Sequence, residues 1–297
     1  MKKNVALLFL TALIWGTGFV AQSAGAEHVS PFAFNFIRCI LGGSTLFIYL
    51  KIRDRKRNMK NDVHREMVQR DKKMVYMGGI LCGIVLCIGM ALQQISIAYT
   101  SVAKAGFVTG LYILLVPILG IFLRKRVDMR IWCSTLIALV GLYFLCITEN
   151  FSIHIEDIYM LICALFFAIH ILVIDFFTPK VDGVRMSCIQ FFVCAFISGI
   201  LMLAFETPNI ASILNSWFSI VYAGVVVCGV AYTSQIMGQK GTDPTTASLV
   251  LSLETVVSVL AGFLILGEGL TLRELIGCIL MFGAIVLSQL PQSNRRK

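Results

Sequence analysis

Long apolar runs, separated by short polar or charged breaks, dominate the chain. Each run is close to the length of about 20 residues that an α-helix needs to cross a bilayer. The breaks contain charges or Gly, Pro and Asn, which are typical of loops. This pattern predicts an all-α integral membrane protein with ten transmembrane helices. The predicted spans are about 4–22, 32–50, 74–97, 103–123, 130–148, 157–177, 185–205, 214–236, 245–266 and 271–290.

The first apolar run has a second interpretation. Lys2 and Lys3, the apolar residues after them and Ala24-Gly25-Ala26 resemble a secretory signal peptide with its cleavage site. We favour a first transmembrane helix, because removal of this segment would destroy the internal repeat described below.

The amino-acid composition argues against several other classes of protein. Of 297 residues, 58% are apolar and 14% are charged, whereas soluble domains average about 45–50% and about 25%. A soluble enzyme, a disordered chain and a secreted disulfide scaffold are therefore poor interpretations. The ten cysteines lie within apolar runs and show no metal-binding spacing, so we predict neither a metal site nor a cofactor.

The net charge of +9 comes mainly from Lys and Arg in the breaks between spans. Such a distribution encodes membrane topology, because Lys and Arg accumulate in cytoplasmic loops. The most basic break, residues 51–73, is predicted to be a cytoplasmic loop, which places both termini in the cytoplasm as well. Binding of RNA or anionic lipid by this loop is the alternative; we predict contact with membrane lipid but no nucleic-acid partner. The expected location is the plasma (inner) membrane.

The chain also repeats itself. Residues 93–148 align without gaps on residues 235–290, with Gly120 opposite Gly262. The first span aligns on the sixth at a slightly larger offset, so that each half contains five spans. Because five is odd, the second half enters the membrane from the opposite side. Such inverted repeats are typical of secondary transporters, whose substrate site lies where the halves meet.

Short motifs occur in a regular order along the two halves. They are Ala12-Leu13-Ile14-Trp15-Gly16, Pro31 with Arg38, Leu253-Glu254, Gly267-Glu268 and Gly283. In their order and spacing they resemble the drug/metabolite transporter superfamily, specifically its EamA-type carriers. The resemblance covers two five-helix repeats, residues 5–148 and 157–290. Two positions depart from the family pattern: Thr255 stands where Pro is frequent, and Lys125-Arg126 replaces Gly-Glu at the end of the first repeat.

The resemblance implies a small-molecule substrate, such as an amino acid or a related metabolite, and export more often than import. It also implies alternating access around a central cavity. The sequence contains no ATP-binding motif, so transport would draw on an ion gradient, with protons as the expected coupling ion, or on the substrate's own gradient. The oligomeric state is unknown from the sequence.

Glu254 is the first candidate for a site residue. It lies about 13 Å into its span, and a charge at the bilayer centre costs about 2.5–3.5 kcal/mol on insertion scales. We therefore expect its side chain to face protein or water. It would carry a proton or bind a substrate amine. The alternative is a protonated carboxyl that only joins two helices.

Arg38 is the second candidate, about 9–10 Å into its span. Its guanidinium would bind a substrate carboxylate or pair with a carboxylate of another helix, for which Glu254 is one candidate. In the alternative, the side chain extends to the membrane interface and has no functional role.

Other polar or aromatic side chains lie in or beside apolar spans. In the repeat, Tyr112 aligns with Glu254, and Gln190 aligns with Arg38. The remaining substrate-site or ion-site candidates are Trp15, Gln93, Gln94, Lys104, Tyr112, His170, Gln190 and Gln235. Packing, hydrogen bonding between helices or interfacial anchoring are the alternatives for these side chains.

Two other functions remain as alternatives. A membrane enzyme acting on lipid would need a cluster of His, Asp or Glu near one interface, and the sequence offers none. A non-transporting scaffold or sensor would be expected to carry a soluble domain, yet the longest break has only the residues from Lys51 to Lys73. We therefore favour a carrier and expect no enzymatic activity.

Overall fold

A computed structural model describes residues 2–58, 72–100, 102–124, 127–146, 155–266 and 271–289, in which all regular structure is helical. We number the principal helices α1 to α10. They are α1 (Lys2–Ala26), α2 (Pro31–Asn58), α3 (Lys72–Ile97), α4 (Val102–Gly110 and Tyr112–Phe122), α5 (Met129–Cys146), α6 (Ile155–Phe177), α7 (Gly183–Phe205), α8 (Trp217–Val221, Tyr222–Ala231 and Tyr232–Gln239), α9 (Pro244–Leu251 and Leu253–Leu266) and α10 (Leu272–Gln289). Each predicted span overlaps one of these helices.

Eight helices in the described part of the chain are long and apolar enough to cross a membrane. The apolar segments of α5 and α10, Met129–Phe144 and Leu275–Ser288, are shorter. Large apolar side chains such as Phe47, Ile84 and Phe196 are exposed on the outside of the bundle, where lipid tails would cover them. The all-α membrane fold is therefore confirmed, and the number of ten spans stays a prediction.

Several boundaries differ from the predicted spans by a few residues, and two of these differences have a visible local basis. The eighth span was predicted to start at residue 214, but α8 starts at Trp217, and Ile210–Asn215 forms a separate short helix whose start is capped by the side chain of Asn209. Helix α2 continues past residue 50 into the basic run and ends at Asn58, since Lys and Arg are good helix formers. Residues 59–71 of the predicted basic loop lie outside the described residues.

The helices pack in a pattern that relates the two halves of the chain. Helix α2 packs on α7, α4 on α9 and α5 on α10, each on the helix five positions further along. Each of the other main helix contacts has an equivalent when the halves are exchanged. The contact of α1 with α9 corresponds to that of α6 with α4, α1–α8 corresponds to α6–α3, and α2–α8 corresponds to α7–α3. This pattern is unchanged when every helix is exchanged for its counterpart in the other half.

Glycines allow several of these helices to approach closely. A Cβ atom at Gly16 would lie 2.7 Å from the backbone oxygen of Glu254, so α1 lies directly on α9. A Cβ atom at Gly83 would lie 2.8 Å from the backbone oxygen of Gln190, which brings α3 equally close to α7. Since backbone atoms cannot move away as a flexible side chain can, any larger residue would separate these helices.

Helices α4 and α9 are both interrupted near their middle. The interruptions lie at Leu111 (φ −61°, ψ −12°) and Ser252 (φ −63°, ψ −9°). The backbone oxygens of Leu111 and Ser252 each accept a hydrogen bond from the N–H three residues later. Tyr112 and Glu254 follow these interruptions, and tight turns inside a helix often mark functional hinges.

Candidate functional site

A small cavity lies in the centre of the bundle, between the two halves. Side chains from α1, α2, α3, α4, α6, α8 and α9 form its wall. They are Trp15, Phe19, Gln22, Arg38, Gln93, Tyr112, Phe167, Val227, Tyr232 and Glu254. The space is enough for about one or two water molecules. A metabolite would therefore need a wider cavity than this conformation offers.

Arg38 points into the bundle. Its side chain is 2% exposed, and Nη1 donates a hydrogen bond of 2.6 Å to Oε1 of Gln22. The guanidinium carbon lies 5.4 Å from the centre of the Phe34 ring, a cation–π contact. This burial excludes the alternative in which Arg38 reaches the membrane interface, and its protein partner is Gln22 rather than Glu254.

Glu254 occupies another part of the same wall. It lies in the first turn of the second segment of α9 and is 3% exposed. Its Oε1 and the hydroxyl of Tyr112 form no hydrogen bond of standard geometry with the described protein atoms, although the Glu254 and Tyr112 side chains are close enough to interact with each other. Within the described residues, no carboxylate lies within 4.0 Å of an Arg38 nitrogen. The cavity therefore holds one basic and one acidic side chain that do not pair with each other.

Aromatic rings close one side of the cavity. The ring centres of Trp15 and Tyr232 are 4.7 Å apart, and Phe191 packs edge-on against Tyr232 at 5.6 Å. Tyr232 comes directly after the π-helical segment Tyr222–Ala231 of α8. Such wide turns are frequent at functional sites, and this one ends at a residue of the cavity wall.

His170 and Gln190 lie behind this aromatic wall. The Nε2 of His170 and the Oε1 of Gln190 are 3.2 Å apart, which joins α6 to α7. The His170 ring packs against Tyr232 with 6.2 Å between ring centres. Neither side chain lines the cavity, so both support its wall from outside.

The three other glutamines that the sequence suggested as site residues lie in different places. Gln93 lines the cavity, and its Nε2 donates to Oγ1 of Thr109 at 3.4 Å. The Nε2 of Gln94 donates to the backbone oxygen of Gln22 at 3.2 Å and so ties α3 to α1. Gln235 is 1% exposed but does not belong to the wall.

Polar contacts also join helices at the end of the bundle that the predicted topology places outside. The Nζ of Lys104 and a carboxylate oxygen of Asp157 form an ion pair of 2.7 Å between the starts of α4 and α6. Lys104 therefore lies away from the cavity. The carboxylate of Glu206, after α7, accepts hydrogen bonds from the Ser30 hydroxyl and from two backbone N–H groups at the start of α2.

Four charges join α2 to the start of α7 at the opposite, predicted cytoplasmic end. Arg53 pairs with Asp182, and Arg185 pairs with Asp54 at 2.6 Å. Partial burial raises the pKa of Asp182, but the hydrogen bond and charge of Arg53 outweigh this effect and hold the pKa below its ordinary value of 3.8. The α2–α7 pair is thus connected by charged side chains at both ends.

We expect Asp182→Asn to lower the free energy of unfolding by no more than about 1 kcal/mol, because exposed ion pairs contribute little. When the pKa of a carboxyl group is lower in the folded than in the unfolded state, its charged form stabilises the fold at any pH above the unfolded-state pKa. This stabilisation is lost only as the pH falls through the lower pKa of the folded state. The decrease in melting temperature, measured on the purified protein, should therefore be the same at pH 5 and pH 8.

Asp243→Asn is the matched control for this prediction. Asp243 caps the start of α9 as Asp182 caps the start of α7, and asparagine keeps either cap. The control should therefore melt close to wild type. A deficit of Asp182→Asn that disappears at pH 5 would contradict the prediction, because it would mean that Asp182 is already protonated there.

Five wall residues were not among the sequence candidates: Phe19, Gln22, Phe167, Val227 and Tyr232. For three of them a signal was present. Phe167 aligns with the candidate Trp15 when the first span is aligned on the sixth. Phe19 and Gln22 follow Trp15 by four and seven residues, which places all three on one helix face. Tyr232 and Val227 enter the wall through the π-helical segment, which the hydrophobic pattern does not reveal.

The fold and the cavity together define a class of protein. The chain forms a multi-pass helical membrane protein whose ionisable side chains converge on a cavity at the centre of the bundle. Transporters of small molecules have this organisation, with the site between two halves.

Comparisons with known proteins identify the family. Residues 2–147 and 154–290 each match the sequence profile of the EamA-like transporter family. The chain belongs to this family, which is part of the drug/metabolite transporter superfamily, so the resemblance noted in the sequence is confirmed. The homologues indicate a membrane transporter.

Two curated relatives cover almost the whole chain. An uncharacterized transporter of Archaeoglobus fulgidus is 30% identical over 284 residues, which are 95% of this chain and 84% of the relative. The uncharacterized transporter YwfM of Bacillus subtilis is 26% identical over 315 residues, covering 99% and 97%. A chain solved by crystallography has the same fold, with a TM-score of 0.77 and 20% identity over 97% of each chain.

Proposed function

We propose that this protein is a secondary transporter that moves an amino acid or a related small metabolite across the plasma membrane by alternating access, in the direction of export. The observation that carries this proposal is the small central cavity, in which Arg38 and Glu254 are both buried but do not pair. Charges inside a membrane bundle are costly and mark substrate or ion pathways.

We further propose that the halves, residues 5–148 and 157–290, are inverted repeats. Three observations support this. The same family profile matches both halves, the packing pattern is unchanged when the halves are exchanged, and α4 and α9 are interrupted at positions one residue apart in the repeat alignment. Interrupted helices at the meeting of two repeats are typical of transporter substrate sites.

Alternating access would require one end of the bundle to open at a time. In this structure, Glu206 joins α7 to α2 at one end, and the Arg53–Asp182 and Arg185–Asp54 pairs join the same helices at the other. These contacts are exposed enough to exchange with water at small cost. Release of one set would therefore let the halves separate at that end while the other set holds.

Glu254 is the proposed coupling residue. Its carboxyl can hold a proton or the ammonium group of a substrate, and the hydroxyl of Tyr112 lies close to it in the same wall. A proton on Glu254 removes the negative charge from the cavity, so that substrate and proton can influence each other's binding. This would couple transport to a proton gradient.

Uptake into proteoliposomes tests the proposed function. The purified protein would be reconstituted and supplied with labelled amino acids and related metabolites, with and without an imposed pH gradient. We expect saturable uptake of at least one compound, absent from protein-free liposomes and increased by the gradient. Saturable uptake that ignores the gradient would contradict proton coupling, and failure of the whole panel would contradict the substrate class.

A further inference from the structure

We propose that the substrate is a monocarboxylate with a compact apolar body, and that its carboxylate binds to Nε and Nη2 of Arg38. This inference rests on the proposed function, because it assigns the substrate class of the same cavity. It depends on how Arg38 is held, on the charges around it and on the character of the remaining wall.

Only part of the Arg38 guanidinium is used by the protein. Nη1 donates to Gln22, whereas Nε and Nη2 are buried and have no hydrogen-bond partner among the described protein atoms. These two nitrogens form one edge of the planar group, with parallel N–H donors. That edge matches the two oxygens of a carboxylate and can hold it in a bidentate manner.

The orientation of this edge is set by neighbours. Gln22, which holds Nη1, is itself held by Gln94 through its backbone oxygen, and the ring of Phe34 lies against the guanidinium. A ligand could therefore take up the two remaining donors without Arg38 giving up its hydrogen bond to Gln22. A ligand would lose little of its binding free energy to rearrangement of the side chain.

The charge of Arg38 favours one negative group. A buried cation without an anionic partner is unfavourable, and a carboxylate would neutralise it. Glu254, elsewhere on the wall, would repel a second negative charge. A phosphate ester, which carries up to two negative charges, is therefore a poorer ligand than a single carboxylate.

Part of the remaining wall suits an apolar group. Trp15, Phe19, Phe167 and Val227 present apolar side chains to the same cavity. Apolar surface of the ligand that is buried against them would add to the binding free energy. A monocarboxylate whose body is a short aliphatic or aromatic group satisfies both parts of the site.

Ligand-induced thermal stabilisation of the purified full-length protein tests this inference. The probes are L-leucine, 4-methylpentanoate and 3-phenylpropionate, each compared with its carboxamide, and phenethylamine as an amine without a carboxylate. We expect saturable stabilisation by at least one of the carboxylates and at least about tenfold weaker binding of its carboxamide, because hydrogen bonds to charged groups are the stronger ones.

Variants then assign the effect to Arg38. Arg38→Gln should weaken carboxylate binding at least about tenfold. Arg38→Lys should also weaken it, because lysine offers a point charge instead of a two-donor edge. Arg55→Gln removes an exposed arginine of α2 that lies outside the cavity and should bind as wild type does.

Two binding results on the wild type would overturn the inference: no stabilisation by any carboxylate, or binding of the carboxamides or the amine as tightly as the carboxylates. Wild-type carboxylate affinity in a folded Arg38→Gln or in Arg38→Lys would overturn it as well. If the glutamine variant does not fold, the lysine variant and the carboxylate–carboxamide comparison decide.

Proteoliposome uptake separates this inference from the proposed function. Uptake of only carboxylate-free compounds overturns this inference and leaves the transporter function, whereas Arg38-dependent carboxylate binding without any uptake supports the inference and contradicts the function.

Discussion

Glu254→Gln is expected to reduce gradient-driven uptake to the level of protein-free liposomes while the protein remains folded. Glutamine has nearly the same shape and fills the same part of the wall, so packing around α9 should be preserved. It cannot ionise, and therefore it can neither carry a proton nor neutralise a substrate ammonium. Since Glu254 is 3% exposed within the cavity, water cannot readily replace the lost carboxylate.

Two assays identify the role that is lost in this variant. Gradient-driven uptake measures coupling, and exchange of labelled for unlabelled substrate at equal pH measures binding and movement alone. Loss of uptake with retained exchange would assign proton coupling to Glu254, and loss of both would assign substrate binding. Glu27→Gln, which changes an exposed residue at the end of α1, is the control. Wild-type uptake in Glu254→Gln would remove this residue from the mechanism.

Gly16→Ala is expected to reduce both stability and transport. The added Cβ would lie 2.4 Å from Cβ of Val257 and 2.7 Å from the backbone oxygen of Glu254. Helices α1 and α9 must then move apart, and overpacking of this kind costs about 1–3 kcal/mol. The same movement displaces the helix turn that holds Glu254, so uptake should fall together with the melting temperature.

Gly283→Ala is the matched control, because it introduces the same side chain into a membrane helix. A Cβ at Gly283 meets no atom within 4 Å, and alanine is the better helix former. This variant should be as stable as the wild type or more so, with normal uptake. If Gly16→Ala behaves in the same way, close packing of α1 on α9 is not required.

Much of the fold could be predicted from local properties of the sequence. Whether a segment of about 20 residues enters a bilayer depends on its own hydropathy, so the helical segments were located without knowledge of their neighbours. The repeat alignment compares the chain with itself, and it placed Tyr112 opposite Glu254. Both residues lie in the cavity wall, next to interruptions in α4 and α9.

The contacts of the site needed the tertiary structure. The depth of Arg38 allowed three interpretations, and only the packing of α1 beside α2 showed that Gln22 is its partner. The sequence offered Lys104 as a site candidate, but the structure pairs it with Asp157, more than fifty residues away in the chain. Such pairings depend on which helices become neighbours and how each is rotated.

The sequence alone therefore determined that the chain forms membrane helices, approximately where each begins and ends, and which residues are too polar to face lipid. These properties are set by single residues and short segments. The tertiary structure decided which of the polar residues share a cavity, which support its wall and which join helices at its ends. Those outcomes depend on the distances between helices, and glycines such as Gly16 and Gly83 set these distances through contacts with residues far away in the chain.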